Sequence, residues 1–162
     1  MNSPMLNYRK ATQADVDLYY HWANDADVRR NSYQSQSIPY EQHVAWFEKK
    51  IVAPNSLLLV FENENQIAVG QVRIETQENH AVVGISIDQH QRGKGYAVEM
   101  LIKASAAYFD SNPTKFIYAY IKKDNFASYK AFVAAGYEPL EEVIEAGVLS
   151  YKLIKKNVSI PK

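Results

Sequence analysis

Residues 91–97 read Gln91-Arg92-Gly93-Lys94-Gly95-Tyr96-Ala97. The pattern of the chain changes here. Before them, Ala81 to Ile87 is a short apolar run that reads as a strand. After them, Ala97, Met100, Leu101, Ala104 and Tyr108 recur at helical spacing, the pattern of a helix packed on a sheet. The segment between is therefore a strand-to-helix turn with two glycines and two cations. Glycine lets the backbone come close to a ligand, and the free N–H groups of a first helical turn favour an anion. Two readings stay open on spacing alone: a phosphate or pyrophosphate cradle, or a tight turn with solvated charges. It is neither a Walker loop nor the three-glycine dinucleotide fingerprint.

Upstream, Leu6 to Lys10 reads as a first strand. Thr12 and Asp15 resemble a capping box ahead of a helix carrying Val16, Tyr19, Tyr20 and Ala23. Asn24, Asp25 and the polar run from Asn31 to Ser37 read as loop. Pro39 suits the first position of a second helix, striped by Tyr40, Val44, Phe47 and Ile51 and ending before Pro54, with Trp46 off the stripe. Strands are expected over Leu57–Phe61, Ile67–Thr76, with Gly70 inside, and Ala81–Ile87, as an antiparallel meander. Downstream come a helix stopped by Asn112 and Pro113, a strand over Phe116–Ile121, a helix through Phe126, Tyr129 and Phe132 stopped by Gly136, and a last strand over Val148–Ile154. The order is β-α-α-β-β-β-α-β-α-β-β, a mixed α/β (α+β) arrangement.

Length and composition agree with one domain over residues 1–162. The 162 residues carry 18 Lys and Arg against 18 Asp and Glu, which argues against a broad grip on nucleic acid or anionic lipid. With no cysteine there is no disulfide, thiolate metal site or Cys nucleophile. Met1 to Lys10 has no apolar signal-type core and no stretch is long enough for a membrane helix, so a cytoplasmic location is expected. From Asn157 onward the chain reads as a loose tail. His21, His43 and His90 lack metal-ligand spacing, and no metal is expected.

Four segments, in order, carry a family resemblance. Arg92-x-x-Gly95-x-Ala97 resembles the pyrophosphate loop of the GNAT acetyltransferase superfamily. Asn125-x-x-Ser128-x-x-x-Phe132-x-x-x-Gly136-Tyr137 is similar to that family's C-terminal segment. Gly70-Gln71-Val72-Arg73 precedes both. The run Trp22-x-Asn24-Asp25-x-x-Val28-Arg29, followed by Glu41-x-His43-x-x-Trp46-Phe47, comes first. The resemblance implies a GNAT fold: a mostly antiparallel mixed sheet of about six or seven strands, split between the fourth and fifth, with about four helices. It also implies acetyl-CoA as co-substrate in that split. Ile85, Ser86 and Ile87 would pair with its pantetheine arm, the backbone of Arg92, Gly93, Lys94, Gly95, Tyr96 and Ala97 would hold the pyrophosphate, and Asn125 would meet the cofactor or cap its own helix.

The family's usual proton-transfer positions hold Val82, Tyr120 and Phe132 here. Candidates must then come from strand geometry. If Thr76–Asn79 is the turn, Glu75 lies opposite His80 and Arg73 opposite Val82. His80 and Glu75 become the leading bases, each also readable as a solvated strand or turn residue, and Tyr120 a donor or substrate contact. Arg29, Tyr33, Trp46 and Arg73 would line the acceptor pocket; polar groups with aromatics suit a sugar. The motifs resemble GNAT domains acting on 4-amino-sugar nucleotides of bacterial surface glycans, and also those modifying N-terminal amines of ribosomal proteins. A fold that binds acyl-CoA without transfer is the third reading. The expected partners are acetyl-CoA and a small-molecule amine, with the protein a monomer or homodimer.

Overall fold

The structure, a computed structural model, describes residues 5–158. The strands are β1 Asn7–Lys10, β2 Ser56–Glu62, β3 Ala68–Gln77, β4 His80–Ile87, β5 Phe116–Lys122, β6 Glu138–Glu145 and β7 Val148–Lys156. The helices are α1 Val16–Ala23, α2 Ala26–Asn31, α3 Tyr40–Val52, α4 Tyr96–Ser111 and α5 Phe126–Ala134. The strands form one sheet in the order β1-β2-β3-β4-β5-β7-β6. All neighbours are antiparallel except β4 and β5.

The sheet has two covered faces. On one, α4 presents Met100, Leu101, Ala104 and Tyr108 to Leu59, Phe61, Val72, Ile74, Val83 and Ile117. On the other, Tyr19 and Trp22 of α1 and Phe47 of α3 cover Leu58 and Val60. Gly70 is where the first layer comes closest to the sheet. A Cβ there would stand 2.4 Å from the Ser86 carbonyl oxygen and 3.0 Å from the Met100 methyl. Only glycine lets α4 sit this near the β3–β4 hairpin.

Three expectations change. Residues 26–31 form α2, which takes Asn31 out of the expected loop, because Asp25 caps it, accepting from the N–H groups of Asp27 and Val28. The buried line of α3 is His43 and Phe47, with Trp46 packed beside them, while Tyr40 is exposed. The predicted stripe missed this because His43 is polar by composition yet buried, its Nε2 2.9 Å from the Val16 carbonyl oxygen. The β3–β4 turn is Glu78-Asn79 alone, so Gln77 faces His80, Glu75 faces Val82 and Arg73 faces Gly84. The register thus slips by two residues from the expected one, which keeps every side chain on its expected face. Of the expected tail, Asn157 donates to the Pro113 carbonyl, and residues 159–162 lie outside the described ones, as do Met1 to Pro4 of the N-terminal stretch.

Candidate functional site

β4 and β5 pair over three positions only: His80 with Phe116, Ala81 with Ile117 and Val82 with Tyr118. β4 nevertheless stays on β3 as far as Ile87, and β5 stays on β7 as far as Lys122. The two strands therefore diverge after Val82, and each turns an unpaired backbone edge toward the gap. Buried backbone N–H and C=O groups need partners, so this gap is a ready receptor for an extended amide-bearing chain. Ile85, Ser86 and Ile87 lie on its β4 edge. No helix among the described residues is long and apolar enough to cross a membrane, and no cluster of His, Asp or Glu among them could hold a metal.

The gap opens toward residues 88–97. Gly93 and Gly95 sit at φ 76° and 79°, the left-handed region, and a Cβ on either would meet nothing within 4 Å. Here the conformation requires glycine and the space above it is open. Gly95 caps α4 without any side-chain hydrogen bond, so the first-turn N–H groups from Tyr96 and Ala97 onward are left to solvent or a ligand. Arg92 does not add free charge to this cradle. Its guanidinium donates to Asp25 at 2.7 Å, to Asp27 at 3.0 Å and, through Nε, to the Ile87 carbonyl at 3.2 Å. Burial raises the Asp25 carboxyl, but the Arg92 bond and the N–H groups of Val28 and Asp27 outweigh it and hold the group below the usual carboxylate range. Trp22 adds a second tie, its indole N–H donating to Asp88 at 2.9 Å. The early motif is thereby explained: Trp22 and Asp25 clamp the loop, and Asn24 holds the main chain of Ile38.

The sheet face under α1 and α3 borders the same gap. On β3, Glu75 takes Lys50 at 2.8 Å and Arg73 at 2.9 Å. The Arg73 guanidinium lies 5.3 Å from the Trp46 ring and against Gly84. Across the gap, Tyr118 and Tyr120 stand on β5, with the Lys152 ammonium 4.2 Å and 5.6 Å from their ring centres. The loop after α2 crosses this face: the Tyr33 hydroxyl donates to Ser150 at 2.7 Å, and Lys122 donates to the Arg30 carbonyl. Arg29 shapes that loop by donating to the carbonyls of Gln34 and Gln36 and to Ser32. Its Nε is buried without a partner, and burial together with the Arg73 charge lowers its pKa.

The structure thus gathers Tyr33, Trp46, Arg73, Glu75 and Tyr120 on one face, with Arg29 beneath the loop. His80 lies on the closed stretch of the seam, stacked near Phe116 and Tyr118. Asn125 caps α5, its Oδ1 accepting from Ser128. Phe132 is buried, edge-on to Tyr137. Sequence reading missed Lys152, Lys122 and the Asp25–Arg92 clasp. Lys152 and Lys122 look like ordinary strand cations until the β5–β7 register is known; the clasp had a signal, in Asp25 following Trp22 within the early motif.

No curated protein sequence matches the chain. Among solved structures, spermidine N-acetyltransferase from Vibrio cholerae, in complex with CoA and spermine, superposes with a TM-score of 0.85 at 15% identity, covering 94% of this chain and 95% of that one. Aminoglycoside acetyltransferase AAC(6')-Ib in complex with coenzyme A gives 0.80 at 12%, with coverages of 94% and 95%. An uncharacterised protein of Bacillus halodurans gives 0.78 at 17%, with coverages of 95% and 90%. At these identities the likeness establishes the fold. The family model for the GNAT acetyltransferase domain matches residues 6–138, most of the chain, and with the split sheet and glycine loop described above the protein belongs to the GNAT acetyltransferase family.

Proposed function

We propose that the protein transfers the acetyl group of acetyl-CoA directly to the primary amine of a small molecule, an amino sugar nucleotide of surface-glycan synthesis. The carrying observation is the gap between β4 and β5 opening onto the left-handed glycine loop. In this reading the edge at Ile85 to Ile87 pairs with the pantetheine amides, and the N–H groups of Gly93 to Ala97 receive the pyrophosphate. An N–H of β4 polarises the thioester carbonyl as negative charge develops on its oxygen. The neutral amine nitrogen attacks the carbonyl carbon, the carbon–sulfur bond breaks, and the amine proton leaves as CoA departs as its thiol. Tyr120, on the open stretch of β5, meets the reacting groups in this reading. Glu75 is held by two cations and His80 stands at the closed end, so water carries the amine proton away. That suits a sugar amine, whose electron-withdrawing neighbours keep a fraction of it neutral near pH 8.

Binding without transfer is the second reading, favoured by apolar Val82 and buried Phe132 at positions where related enzymes use proton-transfer groups. A thiol-release assay over amino-sugar nucleotides, polyamines, aminoglycosides and peptides separates the two. Release of CoA with the sugar nucleotides is expected. Acetyl-CoA binding with no release on any amine would instead establish the binding reading.

A further inference from the structure

The face that borders the gap carries an unbalanced charge. Its cations are Arg29, Lys50, Arg73, Lys122 and Lys152. Its acids are Glu75, which is shared by Lys50 and Arg73, Glu145, whose charge is felt at Tyr33, and Glu141, which stands opposite Lys152 on β6 without an ion pair to it. Arg29, Lys122 and Lys152 make no ion pair among the described residues. Arg29 is the most costly of them: a partly desolvated guanidinium with a buried, unpartnered Nε, its other nitrogens donating to the Gln34 and Gln36 carbonyls and to Ser32 rather than to a carboxylate. Lys152 lies over the rings of Tyr118 and Tyr120, on the gap side of β7. Like charges held this way cost free energy unless an anion joins them.

Their placement says where that anion sits. Two residues past the last pair of Val82 and Tyr118, where the strands part, come Gly84 on β4 and Tyr120 on β5. Arg73 flanks the gap at Gly84, and Lys152, facing Tyr120 on β7, flanks it from the other side. We propose that the acceptor amine carries an anionic group, a phosphate or a carboxylate, received between Arg73 and Lys152, and that Lys152 selects it over neutral and polycationic amines. Spermine, the ligand in the Vibrio cholerae structure, belongs to the class this face repels. The inference rests on the gap being the thioester site, and it names the two cations that receive the acceptor's anionic group and the one that selects it.

The test is calorimetric, with CoA saturating so that the glycine loop is already occupied. Four probes share one amine position or lack the anion: glucosamine, glucosamine 6-phosphate, muramic acid (the same amine with a carboxylate) and spermidine. The anionic probes should bind at least about tenfold tighter than glucosamine, the more so at low salt, and spermidine should bind most weakly. The phosphate and muramic acid arms tell which anion is preferred. Lys152→Met should bring the anionic probes down to glucosamine, and Lys152→Glu should invert the order toward spermidine, with CoA affinity unchanged in both. Glucosamine or spermidine binding the wild type as tightly as the anionic probes would overturn the proposal, as would a preference that survives Lys152→Met. Failure of CoA itself to bind would overturn the transfer reading first, so the two failures are distinguishable.

Discussion

The loop over residues 88–97 and the face under α1 and α3 border the same gap but are made differently. The loop is made of backbone. Its features are two left-handed glycines, an uncapped first turn of α4 and N–H groups, all within ten residues. The face is made of side chains that the fold gathers: Arg29 from α2, Tyr33 from the loop after it, Trp46 from α3, Arg73 from β3, Tyr120 from β5 and Lys152 from β7. Tyr33 and Ser150, which touch, are 117 residues apart in the chain. A site that binds a constant group such as pyrophosphate can be written in backbone, because backbone does not vary with side-chain identity. A site that chooses an acceptor must be written in side chains, and the fold has to complete before it exists.

The largest effect that would break this contrast lies beneath both regions. Phe132→Ala removes a ring that is 3% exposed and edge-on to Tyr137, and should cost about 3–5 kcal/mol in urea unfolding. Unchanged stability would place the ring outside the core. Next is Arg92→Met, which leaves Asp25 and Asp27 facing each other and frees the loop from α2. Acetyl-CoA affinity should fall roughly tenfold while the acceptor side, tested with CoA saturating, changes less. If both fall together, the two regions are not separable.

The same clasp has a sign in pH. The Asp25 carboxyl is depressed in the folded protein, so its contribution is complete above the ordinary carboxylate pKa of about 4 and is lost as pH falls through the lower folded value. Thermal stability of the wild type should decline as pH drops below about 4, and Asp25→Asn should be less stable at pH 7 with a shallower decline. A mutant profile parallel to the wild type would show that the clasp contributes nothing. The smallest effect belongs to Arg30→Ala. The Arg30 side chain is 69% exposed and, among the described residues, pairs only with Asp27, so the loss should stay within about 0.5 kcal/mol, and acceptor binding should hold. Arg29→Met, one position earlier, should weaken anionic probes. Equal behaviour of the neighbouring arginines would remove the distinction drawn between them.

The same contrast explains what was legible in the sequence. The strand-to-helix step at 81–108 was readable because glycine, charge and helical periodicity all change within one short stretch. The split after Val82 was readable only by family resemblance, since nothing local says that β5 stops pairing with β4. The β3–β4 register slipped by two because Glu78 enters a two-residue turn at φ 26°, a backbone state a glutamate sequence does not announce. The site face of α3 was misassigned because His43 and Lys50 look like surface residues, yet one bonds the Val16 carbonyl and the other reaches Glu75. His80 was drawn toward the site by alternation alone. Alternation fixes a face of the sheet but not a distance along it, and His80 lies at the paired end of the seam. Lys152 had no local signal, since its neighbours on the face come from β5.

Whether the gap and glycine loop hold acetyl-CoA is decided by calorimetric titration of acetyl-CoA into three proteins. Gly95→Tyr fills the open space over the loop. Gly147→Tyr is its control: Gly147 has φ 80° and equally open space, so the backbone strain is alike, but it belongs to the β6–β7 turn and not to the 88–97 loop. One site per chain is expected in the wild type and in Gly147→Tyr, and affinity at least about a hundredfold weaker in Gly95→Tyr with circular dichroism unchanged. Binding by Gly95→Tyr within a factor of about two of the Gly147→Tyr control would contradict it.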